Sequence, residues 1–61
     1  MNNGVRVARI ESKLTQIELA QRSGVGLATI RRAESGKNVS VPVLKRLAAT
    51  LNTTIDKLIA E

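Results

Sequence analysis

Along the 61 residues, apolar positions recur at intervals of three and four. Nowhere do they alternate as a half-buried strand would require. The clearest case is Leu44, Leu47, Ala48 and Leu51, spaced i, i+3, i+4, i+7, which forms one stripe along a helix. Ser40 stands before it as a cap, and Pro42 falls in the first turn, where a missing N–H costs nothing. Asn52-Thr53-Thr54 interrupts the pattern, and Ile55, Leu58 and Ile59 mark a short fifth helix. At the other end, residues 5–14 read as a first helix, capped by Asn3 beside Gly4. Its apolar positions are Val5, Ala8, Ile10 and Leu14.

Between these lie two short helices and an abrupt break. Thr15 with Glu18 three residues later forms a capping box that opens the second helix. Gly24 stops that helix before three full turns, as suits a residue that enters the left-handed conformation at little cost. Gly26 caps a third helix over about Leu27–Glu34, and Ser35-Gly36 ends it before the polar connection Lys37-Asn38-Val39-Ser40. Residues 16–35 meet the demands of two helices joined at a steep angle by a tight turn. Leu19 anchors the first, Ala20 is the small crossing residue, Gly24 turns the chain and Val25 plugs the core beneath it. Ile30 and Ala33 anchor the second. The expected fold is one all-α domain over residues 1–61, a compact bundle of five helices. If Ile30 and Ala33 point inward, Gly26, Leu27, Ala28, Arg31, Arg32 and Ser35 lie on the outer face or its edges.

Composition narrows what such a bundle can do. Ten Lys and Arg against five Asp and Glu give a net charge of +5 and a pI near 10.9. A polyanion is the natural partner for so basic a chain, although small domains are also basic for solubility alone. There are no aromatic residues, so the core is built from Leu, Ile, Val and Ala, and base stacking on single strands is disfavoured. Without cysteine or histidine there is no disulfide, no thiolate or imidazole metal site and no common general base. No clustered carboxylate pair replaces them. The chain is therefore expected to have no catalytic residues, metal or cofactor and not to be an enzyme. A domain this size buries only about 60% of the surface its unfolded chain exposes, so its stability is marginal. No apolar run approaches the roughly 20 residues of a membrane span. Met1 to Gly4 lack the features of a secretory signal. A cytoplasmic protein with no membrane partner is expected.

The outer face of the third helix carries the candidate chemistry. Taken alone, Arg31-Arg32 is a solvated surface pair. On this corner, beside a face of small residues, it points to DNA. An α-helix fits the major groove, its early residues reach base edges best, and Arg pairs bidentately with guanine O6 and N7 for roughly 1–3 kcal/mol of discrimination. Leu27 and Ala28 suit thymine methyl groups. Gln16 is ambiguous: it is either an ordinary polar first-turn residue or a phosphate contact aided by the positive end of the helix dipole.

These residues resemble the phage repressor and Cro-type helix-turn-helix family of bacteria and their phages, the lambda-repressor-like DNA-binding fold. "RIESKLTQIELAQRSGV" is similar to the end of that family's first helix and to its second. "ATIRRAESGK" resembles the recognition helix, and "VSVPVLKRLAATLNTTIDKLI" the fourth and fifth. The resemblance implies that Gln16 binds phosphate and orients its neighbours. It implies that Gly26, Leu27, Ala28, Thr29, Arg31 and Arg32 face the groove, and that Ser35, Lys37 and Asn38 approach the backbone. Arg9 and Glu34 match a family pair that forms a partly buried salt bridge between helices 1 and 3. Three positions depart from the pattern. Ser23 stands where the family is usually apolar, and Ala33 where a larger residue often precedes the Glu. Gly26-Leu27-Ala28 replaces residues richer in hydrogen bonds, which shifts weight toward methyl contacts and DNA shape.

The expectation is a sequence-specific binder of double-stranded DNA acting as a transcriptional regulator, a repressor, with the third helix in the major groove. It would bind as a homodimer on a palindromic operator, pairing through residues 54–61, and be nucleoid-associated when bound. Those last residues alternatively just close the core. One alternative is an antitoxin that binds both operator DNA and a toxin partner. A second is a basic helical protein-interaction module that does not bind DNA.

Overall fold

The computed structural model describes residues 4–59. Within them run α1 (Gly4–Glu11), α2 (Gln16–Ser23), α3 (Leu27–Glu34), α4 (Val41–Thr50) and α5 (Ile55–Ile59). There is no strand among the described residues, so the fold is an all-α five-helix bundle. The expected cap at Asn3 lies outside the described residues.

Side-chain caps set three of the helix starts, the third being Thr54, whose Oγ1 accepts from the Lys57 N–H at the head of α5. The Thr15 hydroxyl accepts from the Glu18 N–H at 3.0 Å, and the Glu18 carboxylate accepts from the Thr15 N–H at 2.9 Å, closing the capping box. The hydrogen bonds from the backbone N–H and then the side chain of Thr15 hold the Glu18 carboxyl below its ordinary value of 4.5. Ser40 Oγ accepts from the Val43 N–H ahead of Pro42.

The first helix is shorter than its pattern suggests, ending at Glu11 and not at Leu14. The Leu14 N–H turns back to the Arg9 carbonyl (3.2 Å) and the Lys13 N–H to that of Ile10 (2.9 Å), with Lys13 left-handed at φ 59°. This 6→1 and 5→2 pairing is a Schellman ending. α3 ends alike through Lys37 to Arg32 and Gly36 to Ala33, and α4 through Thr53 to Ala48 and Asn52 to Ala49. Their left-handed residues are Gly36 (φ 82°) and Asn52 (φ 55°), types that tolerate the conformation. Lys13 is the exception, since a Cβ there costs about 1–2 kcal/mol. Lys13→Gly should therefore raise stability by about 0.5–1 kcal/mol after glycine's larger chain entropy is charged. A domain this size gains roughly 4–8 °C in Tm per kcal/mol. A melting temperature that falls would mean the lysine side chain holds something the turn needs.

Packing places Val5, Leu19, Val25, Ile30, Leu47, Leu51 and Leu58 in one core, with Ala33 and Ala48 between them. Leu19, Ile30 and Leu47 are fully enclosed. α2 packs on α3 and α4, while α1 lies on α5 and α3, and α5 also meets α4. Ile10, expected on the inner face, is 53% exposed. It follows Ala8 by two residues, about 200° around the helix, so packing Val5 and Ala8 inward turns Ile10 out. In α5 Leu58 is buried and Ile55 packs against the core, but Ile59 stays exposed. α1 begins so close to α5 that a Cβ on Gly4 would strike the carbonyl oxygens of Lys57 and Leu58.

Candidate nucleic-acid interface

The corner between α2 and α3 is held by backbone conformation and one hydroxyl. Gly24 follows α2 in the left-handed region (φ 73°, ψ 12°), and its N–H bonds the Ala20 carbonyl at 3.0 Å. Val25 then drops into the core. Ser23 is buried, and its Oγ accepts from the Val25 N–H at 3.2 Å. The hydroxyl thus satisfies an amide that the turn would otherwise leave unpaired.

α3 leaves this corner with Ile30 and Ala33 buried. Ala28, Arg31, Arg32 and Ser35 are exposed, as are Gly26 before the helix and Lys37 and Asn38 after it. Leu27 and Thr29 are half-buried at the edges of that face. Gly26 has extended dihedrals (φ −63°, ψ 147°) that any residue adopts, and nothing among the described residues lies within 4 Å of where its Cβ would sit. The fold therefore has no need of glycine there. A missing side chain at the head of α3 leaves the first amides of the helix bare and approachable.

Behind the exposed face, α3 is tied to α1 and α2 by a polar cluster. Glu34 accepts from Arg9 Nε at 2.6 Å and Nη2 at 3.1 Å, and from Gln16 Nε2 at 3.2 Å. Arg9 Nη1 donates to the Leu14 carbonyl at 2.8 Å, which also fixes the end of the α1–α2 connection. The side chains of Arg9 and Glu34 are only 14% and 6% exposed. No buried side-chain polar atom among the described residues lacks a partner. Gln16 thus has a structural bond as well as an exposed edge at the start of α2.

An open cleft lies over this cluster, lined by Arg6, Arg9, Gln16, Arg31, Glu34 and Ser35. It gathers Gln16, Arg31 and Ser35 from the DNA-contact candidates beside the expected Arg9–Glu34 pair, while Arg32, Lys37 and Asn38 stand apart from it. Ser35 Oγ donates to the Arg31 carbonyl at 2.8 Å, so its proton is already engaged. Arg6 was not among the sequence candidates. Its signal was available, because it precedes Arg9 by three residues and shares its helix face. Among the described residues no group of His, Cys, Asp or Glu is placed to hold a metal ion, and no helix is long and apolar enough to cross a membrane.

The family model described as helix-turn-helix matches residues 5–58. The chain belongs to the helix-turn-helix DNA-binding family of the Cro and lambda-repressor type. That family is one of DNA-binding regulatory domains. Comparison with curated proteins and with solved structures gives no match.

Proposed function

We propose that this protein is a sequence-specific transcriptional repressor, one domain over residues 1–61, that sets α3 into the major groove of duplex DNA. The observation that carries this reading is the outer face of α3, with small exposed residues at its head and the guanidiniums of Arg31 and Arg32 beyond. Gly26 and Ala28 let the helix approach closely, with Leu27 and Thr29 at the edges of the contact. Apolar contact with thymine methyl groups and bidentate Arg pairing with guanine then supply the readout. Gln16, Lys37 and Asn38 hold the sugar-phosphate backbone on either side, with Ser35 close by but its hydroxyl proton committed to the Arg31 carbonyl, and such contacts set register without reading sequence.

The domain measures 25 × 21 × 18 Å, shorter than the ≈ 34 Å of one duplex turn. A single copy thus covers one half-site, and a homodimer on a palindromic operator is the arrangement that reaches useful affinity. Selection of bound sites from random duplexes should return an inverted repeat with half-site centres about 10 base pairs apart. On the selected site, the Arg31→Ala/Arg32→Ala double variant should keep its helical signal and lose at least about fivefold in affinity, since one bidentate contact alone is worth about 1–3 kcal/mol. A folded double variant that binds undiminished would remove α3 from the interface.

A further inference from the structure

We infer that the adjacent arginines of α3 address different parts of the DNA: Arg31, with Arg6 of α1 and Gln16 of α2, seats a backbone phosphate over the α1–α3 cleft, while Arg32 reads bases. The inference rests on the proposed docking of α3 and adds Arg6 to the interface. Successive residues of a helix point about 100° apart. Arg31 shares its face with Glu34 and Ser35 at i+3 and i+4, and all three line the cleft against α1. Arg32 does not line it. Its face is continued by Ala28 one turn earlier, which is exposed and at the early end of α3, where base edges are nearest.

The cleft's charge selects the ligand. Three guanidiniums and one carboxylate line it. Arg9 and Glu34 bond each other through two hydrogen bonds and neutralise one another. The remaining lining charge is that of Arg6 and Arg31, flanking the Gln16 amide at the start of α2. Two planar forks lining one open site suit the tetrahedral oxygens of a phosphodiester. A guanidinium has five donors, so Arg6 can take a phosphate oxygen while keeping another contact. A base edge lies deep in a groove and cannot enter a cleft walled by α1, whereas a backbone phosphate stands out from the duplex.

The test is a titration of the selected operator and of a scrambled duplex at several salt concentrations, using the wild type and single variants. Arg6→Ala and Arg31→Ala should weaken binding to both duplexes by the same factor and lower the log–log salt slope by about 1 each. Arg32→Ala should lose roughly 5- to 150-fold on the operator and leave the scrambled duplex nearly untouched. Arg31→Lys should keep the salt slope and stay within a few-fold of wild type, because a point charge still pairs with phosphate. Arg32→Lys should lose base preference, because it cannot form the fork. The division is overturned if Arg31→Ala relaxes one base position with its slope unchanged, or if Arg6→Ala, shown folded by its melting curve, keeps the wild-type slope. A wild type that prefers no duplex overturns the docking of α3 itself, and this is separable because it appears before any variant is compared.

Discussion

Glu34→Ala should leave the domain largely unfolded at 25 °C. The carboxylate it removes is 6% exposed and accepts three hydrogen bonds, two from Arg9 and one from Gln16. Arg9, itself 14% exposed, would keep its bond to the Leu14 carbonyl but lose the acceptor of its Nε and Nη2 donors. Stranding one partner of a buried pair costs about 3–5 kcal/mol. A core in a chain this short supplies rarely more than about 3–5 kcal/mol in all. The pair is not, however, a net source of stability, since its own attraction is largely spent on desolvation. Arg9→Met/Glu34→Leu should therefore melt well above Glu34→Ala, and Glu34→Gln, which keeps an acceptor, should fall between. Urea unfolding of the series decides it. Additive losses in the double variant would show that the two side chains act separately.

Ile30→Ala should detach α3. Ile30 is fully enclosed, and the other buried residue of α3 is the small Ala33, so one side chain supplies the large apolar anchor of the helix that carries Arg31 and Arg32. Truncating a buried isoleucine to alanine costs about 2–5 kcal/mol, and to valine about 0.5–1.5 kcal/mol. The valine variant should fold and bind operator near wild-type strength. The alanine variant should be mostly unfolded alone and regain helical signal with excess operator, because a ligand that binds only the folded state shifts the equilibrium by mass action. An alanine variant that melts within a few degrees of wild type would show that α3 is held by the Glu34 cluster and not by its apolar face.

These two variants separate the two ways α3 is fastened: one residue is visible in the pattern of the chain and the other acquires its meaning from a partner 25 residues away. Ile30 could be assigned inward from its spacing to Ala33 and the break at Gly24, because a helix has a fixed period and a short amphipathic helix has one sensible way to face the core. The capping box at Thr15 and the left-handed turn at Gly24 were equally legible, since local backbone chemistry produces both within a few residues. The end of α1 was not. Lys13 carries no sign of the left-handed conformation, and the turn there is stabilised by Arg9 reaching the Leu14 carbonyl, an arrangement that depends on where Arg9 is held. Ile10 misled for a related reason, because an apolar residue is as acceptable at the surface as in the core when the helix is thin in apolar positions.

The sequence by itself determined that the chain forms short helices and no strand over the described residues, where four of the five helices begin, and which side of the third one faces out. Each of those follows from local periodicity, capping and turn geometry. Only the tertiary structure decided what Arg31 and Arg32 have nearby. Folding α1 and α2 against α3 puts Arg6, Arg9 and Gln16 beside Arg31 and leaves Arg32 with Ala28, a difference between neighbouring residues that arises from a 100° step around a helix packed on one side alone.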